Sequence, residues 1–373
     1  MTKVIIAPDK FKGSLTGLEF CDAVERGIKK QNPAVEIVKL PLADGGDGTI
    51  EVLNYYLEGE MVSINVHDPL QRIISASYLY SEKKSTAYIE MAEASGIRLL
   101  KANEANPLLT STFGTGELIV DALNKGANHI ILGIGGSATN DAGLGMARAL
   151  GFRFFDKANI ELQGKGEDLI HLNAIDNNAI HSRLRDVKFE VACDVENPLY
   201  GPNGAAFVYS PQKGASLEMV TELDIGLQHF NQIVRKQYGV NLQEIKGAGA
   251  AGGLGAGCIF FLDARLRSGI ELIKAEANFD HYLKDVDWVI TGEGKLDEQT
   301  FSGKVIRGIL DSLSGEKLAV FCGKSDLDKN QLENMGVNFL SETIRYANNI
   351  EDSIQNAALY LEKSAEDFAK THL

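Results

Sequence analysis

One tryptophan, four cysteines and seven histidines are few for 373 residues, and each scarcity removes a class of chemistry. Cys21, Cys193, Cys258 and Cys322 stand far apart with no CxxC pair, so neither a disulfide framework nor a cysteine zinc site is written here. They read as reduced thiols of a cytoplasmic protein. The histidines show no HExxH spacing. No apolar run approaches membrane-spanning length, and Val4-Ile5-Ile6-Ala7 is too short for a signal-peptide core. Basic charge is also short: 37 Lys and Arg against 51 Asp and Glu give a net charge of −14. Such a surface repels nucleic acid and anionic lipid, which bind through Lys and Arg on phosphates. Internal repeats, low-complexity tracts and obvious linkers are absent as well.

What remains is an ordinary globular composition, 44% hydrophobic and 24% charged, long enough for two domains. Toward both ends, short apolar runs alternate with helical patterns. Strands are predicted at residues 4–7, 35–40, 288–291, 318–322 and 337–340. Helices are predicted from Thr16, where Thr16-Gly17-Leu18-Glu19 fits a capping box, and at 49–56, 305–313 and 353–368. This alternation implies a parallel sheet with right-handed crossovers. In the middle, runs at 62–66, 74–80 and 86–91 follow in quick succession, as an antiparallel meander does, and 218–238 reads as one long helix. The expectation is an α/β protein of two domains. One domain, on the parallel sheet, is formed by 1–70 and 285–373, and a mixed α/β domain, 71–284, is inserted. The strand at 129–132 and the helix from about Asp141 fit either one.

Five glycine-rich or charged stretches each begin where a predicted strand ends: 8–14, 43–49, 133–137, 292–297 and 323–325. Ligands of open α/β sheets bind outside the carboxyl ends of the strands, so these stretches are expected to share a site. Gly and Asp are usual turn residues, but turns do not require lysines. Lys10, Lys12, Lys295 and Lys304 beside glycine-rich backbone suit phosphate oxygens. Asp44, Asp47, Glu293 and Asp297 are acids at the same edge, and crowded carboxylates favour a divalent cation, most simply magnesium on a nucleotide. An N-cap role fits Asp47 equally well. Asp194, after the predicted strand at 189–193, is placed to take a proton from an attacking hydroxyl; a turn role fits it as well.

Residues 247–257 hold six glycines in eleven positions. Their opening matches GxGxxG, but no strand precedes it and no acid follows at ribose distance, so close helix packing competes with nucleotide binding. Gly323-Lys324-Ser325 ends like a Walker loop, with Leu318 where its first glycine belongs. Thr139 replaces the second glycine of a nucleophile elbow, which argues against a serine hydrolase.

Taken together, the blocks at 7–14, 41–48, 90–92, 111–116, 133–141, 192–198, 247–257 and 291–297 resemble the type I glycerate kinases of bacteria, in order and across nearly the whole chain. The resemblance implies magnesium- and ATP-dependent transfer of the γ-phosphate to a hydroxyl of D-glycerate, 2-phosphoglycerate being favoured over 3-phosphoglycerate. It also implies two α/β domains, one flavodoxin/Rossmann-like and one inserted, with the active site in the cleft between them. Within the matching blocks Asp194 is assigned as base and Lys10 and Lys295 as phosphate-binding catalytic groups. Lys12, Ser14, Asp44, Gly45, Gly46, Asp47, Gly135, Gly136, Ser137, Asn140, Gly249, Gly252 and Gly253 are assigned to substrate or phosphate. Asp44, Glu293 and Asp297 are assigned to metal. The rivals are a nicotinamide-dependent dehydrogenase of a small hydroxy acid and a non-catalytic sugar-acid sensor.

Overall fold

A computed structural model describes residues 2–46, 48–297 and 305–373. Asp47 and Lys304 lie outside the described residues. Along the chain the strands are β1 (Lys3–Ile6), β2 (Glu36–Lys39), β3 (Glu60–His67), β4 (Ile73–Ser81), β5 (Thr86–Glu90), β6 (His129–Gly133), β7 (Arg153–Phe155), β8 (Ala174–Asp176), β9 (Lys188–Ala192), β10 (Arg265–Arg267), β11 (Trp288–Leu296), β12 (Lys317–Ser325) and β13 (Val337–Glu342). The chain divides into two compact units, residues 1–56 with 268–373, and residues 57–267.

The first unit holds a five-stranded sheet in the order β13-β12-β11-β1-β2, parallel throughout. Its central strands are buried on both faces, which is why Val4-Ile5-Ile6 and Leu318–Cys322 are unbroken apolar runs rather than alternating ones. The helix Gly17–Gln31 starts at the expected capping box. Thr16 Oγ1 accepts from the Glu19 N–H at 3.1 Å, and Glu19 Oε2 accepts from the Thr16 N–H at 2.8 Å. Phe20, Val24 and Ile28, spaced four apart, form its buried face. It packs on Ala357–His372 so closely that a Cβ at Gly27 would lie 2.2 Å from the Glu362 carbonyl oxygen.

The second unit is built on a six-stranded mixed sheet, β10-β9-β6-β5-β4-β3. The β3–β4 and β4–β5 pairs form the expected antiparallel meander, and β5, β6, β9 and β10 run parallel. The long helix expected in the middle is Leu217–Tyr238.

The compact units meet at 56/57 and 267/268, where boundaries near 70 and 285 are expected from the sequence: β3 pairs with β4, and Gly269–Glu276 belongs to the first unit. The strand at 129–132, which fits either domain on sequence, is an inner strand of the second sheet. Two expectations change. Residues 292–296 and 323–325 continue β11 and β12 rather than forming loops, paired from Gly292↔Phe321 to Leu296↔Ser325. Glycine permits this: a Cβ at Gly323 would sit 2.4 Å from the Gly294 oxygen. The terminal helix is two helices, Ile350–Gln355 and Ala357–His372.

Candidate active site

Counted in their order within the first unit, its strands run 2-1-3-4-5, the flavodoxin-like order, with the reversal between β1 and β11. At such a switch point neighbouring loops leave toward opposite faces, opening a crevice outside the strand ends. A cavity of about 590 Å3 lies there. From β1 it takes Asp9, Lys10, Lys12 and Ser14; from the segment after β2, Asp44 and Gly46. The ends of β11 and β12 add Glu293, Lys295 and Lys324. Four lysines thus face three carboxylates in one hollow, and the apolar Ile344, Ile350 and Ile354 complete its wall.

Backbone contacts fix the shape of this site. The Asp9 N–H donates to the Gly292 oxygen at 3.0 Å, tying the β1 loop to β11. The loop then closes on itself through Phe11 N–H to the Leu15 oxygen, 2.9 Å, with Gly13 in the left-handed region at its tip. The Phe11 ring rests edge-on against Phe20, centroids 5.2 Å apart, anchoring the loop to the core. Gly48, at φ +94°, lets the Lys10 side chain pass: a Cβ there would be 3.1 Å from Lys10 Cδ. The Gly46 N–H donates to Asp44 Oδ1 at 2.9 Å.

Electrostatics single out Asp9. Burial lifts its carboxyl to about 7, the Lys10 N–H bond to Oδ1 at 2.7 Å pulls against this, and the carboxylates of Asp44 and Glu293 push it further up. Asp9 was not among the assigned site residues; its only sequence signal is an acid beside Lys10 at a strand end. Lys295 is held by Asp326 at 2.6 Å, which raises its pKa, and Lys324 approaches the same carboxylate at 3.7 Å. An incoming anion therefore competes with an exposed ion pair, a weak competitor.

Three carboxylates that feel one another suit a divalent cation. Among the described residues, however, no three His, Cys, Asp or Glu stand close enough to form a complete metal cage. This fits magnesium, which keeps waters and phosphate oxygens and needs only one or two protein carboxylates.

The second sheet also carries polar residues at its strand ends, among them the assigned Gly135, Gly136 and Asp194. Glu90 ends β5 and bonds the Tyr88 hydroxyl; its pKa is raised, chiefly by burial. Gly135 and Gly136 form an exposed turn after β6, and Asp194 is exposed beyond β9. Beneath the turn lies a buried polar cluster. The Asp141 carboxylate, with no exposure, accepts from the Thr112 N–H (2.7 Å), the Thr112 hydroxyl (2.8 Å) and the Gly143 and Gly145 N–H groups (3.1 and 3.2 Å). Lys213 donates to Ser137 Oγ and to the Thr139 oxygen, both at 2.7 Å. Burial lowers the Lys213 pKa to about 7, with Asp141 opposing. Lys213 was missed, because a lysine in a Pro-Gln-Lys-Gly turn looks solvated until the chain is folded. Thr139 Oγ1 and Asn140 Nδ2 are buried and make no hydrogen bond among the described residues. Such atoms cost about 1–3 kcal/mol each and mark this loop as unusual.

Gly249, Gly252 and Gly253 are buried. A Cβ at Gly252 would lie 2.0 Å from the Thr139 oxygen, and one at Gly249 would lie 2.1 Å from the Pro198 oxygen. Close packing alone therefore accounts for glycine at these two positions. Asp297 follows the end of β11.

This fold defines an α/β protein with a crevice lined by lysines and carboxylates at the strand ends of its parallel sheet. A model of the glycerate kinase family matches residues 4–373. The glycerate kinase of Bacillus subtilis (strain 168) is 43% identical over 98% of this chain and 97% of that protein. The glycerate 2-kinase of Escherichia coli (strain K12) is 45% identical over 82% of this chain and 81% of that protein. The crystal structure of a putative glycerate kinase 2 from Salmonella typhimurium LT2 superposes with a TM-score of 0.87 at 38% identity, covering 99% and 98% of the two chains. The chain belongs to the glycerate kinase family and is accordingly an enzyme, a kinase.

Proposed function

We propose that the enzyme transfers the γ-phosphate of ATP to a hydroxyl of D-glycerate, giving 2-phosphoglycerate. The observation that carries this reading is the switch-point cavity with its four lysines and three carboxylates. Phosphoryl transfer asks a protein mainly to position two anions and to neutralise charge spreading over the transferring group. Lys10, Lys12 and Lys295 supply cations for phosphate oxygens, and Ser14, Gly45 and Gly46 supply polar backbone and hydroxyl groups beside them. Magnesium bound with the nucleotide would neutralise phosphate charge; Asp44, Glu293 and Asp297 are the carboxylates to hold it. Asp194 is the proposed base, accepting the proton of the attacking hydroxyl as the C–O–P linkage forms and the bond to ADP breaks.

A hydride-transfer reading loses its main support once Gly249 and Gly252 are accounted for by packing. Among the described residues no helix is long and apolar enough to cross a membrane. The test is D-glycerate-dependent release of ADP from magnesium-ATP. Release that is indifferent to D-glycerate contradicts the proposal.

A further inference from the structure

The strongest cluster outside the switch-point cavity is the one built on Lys213. Full burial of a lysine is unusual and requires acceptors, and here they are two atoms of a single loop, Ser137 Oγ and the Thr139 oxygen. Both follow β6, beside the exposed turn at Gly135 and Gly136. That turn is shaped for an anion. Gly136 has φ +72°, and the space above Gly135 is open, with nothing within 4 Å of where a Cβ would stand. The N–H groups of Gly135, Gly136 and Ser137 donate to no described residue; the loop's bonds to residues 95–97 run through the Gly136 oxygen and the Ala138 N–H instead. Successive unpaired amides around a left-handed residue form a concave anion site.

We infer that Lys213 is a positioning residue for this anion site, holding the Ser137 hydroxyl so that its proton is presented to an anionic substrate oxygen. The chemistry follows from the hydroxyl's inventory: one donor and two acceptor lone pairs. With one lone pair fixed by the lysine at 2.7 Å, the hydroxyl's remaining proton points elsewhere, beside the amides of the same loop. In its protonated form the lysine also places positive charge behind the donor, and Asp141 favours that form against the cost of burial. The ligand oxygen is a carboxylate or phosphate oxygen; D-glycerate and ATP each provide candidates. This inference rests on the kinase reading and names how one substrate is gripped.

The test is a double-mutant cycle on the full chain, Ser137→Ala, Lys213→Met and both together, followed by calorimetric titration with D-glycerate and, separately, with magnesium-ATP. Each single change is expected to weaken binding of one of these ligands about tenfold or more, as loss of a charge-assisted hydrogen bond does. The double variant is expected to bind no worse than the weaker single one, because the lysine acts through the hydroxyl. Whichever titration responds identifies the anion. Unchanged affinity for both ligands in the single variants, or losses that add in the double variant, overturns the inference. Should Lys213→Met not fold, Lys213→Gln keeps two donors for Ser137 Oγ and the Thr139 oxygen; native affinity there beside a loss in Ser137→Ala supports the inference, and native affinity for both ligands in Ser137→Ala as well overturns it. Native enzyme that neither binds nor turns over the two substrates fails the kinase reading itself, a separate outcome.

Discussion

Replacing Asp9 by Asn should stabilise the ligand-free protein, and increasingly so as pH rises. Asn keeps an oxygen for the 2.7 Å bond from the Lys10 N–H and removes the ionisation that burial resists. A rise from 3.8 to about 7 corresponds to about 4 kcal/mol at neutral pH as a ceiling, since each pKa unit is about 1.4 kcal/mol. Asp9 lines an open cavity and keeps some solvent access, which leaves about 1–2 kcal/mol. The sign follows from proton counts. Between pH 4 and 7 folded Asp9 retains a proton that the unfolded chain has released, so native stability falls as pH rises through that window. The Asn variant escapes this fall. Trp288, the single tryptophan, packs against Phe368 in the core of the first unit, so its fluorescence reports unfolding of that unit in urea. Without magnesium or nucleotide, the gain at pH 8 should exceed the gain at pH 5 by about 1 kcal/mol. An equal gain at both values, or a loss of stability, refutes the reasoning. Turnover should fall in the same variant if the Asp9 charge serves the cavity it lines, the usual trade between stability and function.

Glu190 behaves in the opposite sense. Burial pushes its pKa up, yet the bonds from Lys188 and Arg267 outweigh this and bring it down to about 2. It therefore contributes stability above about pH 4.5 that is lost as pH falls towards 2, and Glu190→Gln should cost about 1–2 kcal/mol at pH 7. A deficit of unchanged size at pH 3 in denaturant melts would contradict that assignment. Asp194→Asn should lower kcat by about a hundredfold or more while the melting temperature stays put, whereas near-normal turnover removes Asp194 from the base role. Lys10→Met should raise KM for ATP by about tenfold, read from initial rates, and an unaltered KM would take Lys10 off the phosphates.

Much of this architecture is written locally. The capping box at Thr16 and Glu19 is a four-residue signal, and it starts the helix where expected. The apolar runs of β1 and β12 mark strands covered on both faces. The gathering of Lys10, Asp44, Glu293 and Lys295 around one hollow follows from parallel strands presenting one edge, and was legible from where the charged stretches fall. What the sequence hides depends on tertiary approach. Gly292, Gly294 and Gly323 look like loop residues, yet they prolong β11 and β12; at Gly292 and Gly323 the backbone of the neighbouring strand lies too close for a Cβ. The glycines at 249 and 252 look like a nucleotide loop, and only the folded chain shows that each is also packed against a carbonyl oxygen. Lys213 gains its partners from a loop some seventy residues earlier, so no local pattern announces it.

The most direct measurement is phosphorus NMR of the product formed by the purified enzyme from D-glycerate and magnesium-ATP. The predicted spectrum shows ADP growing with one new phosphomonoester, coupled to the single proton on C2 of glycerate. A phosphomonoester coupled to two protons, as on C3, would contradict the assigned position. Inorganic phosphate alone would contradict phosphoryl transfer to the hydroxy acid altogether.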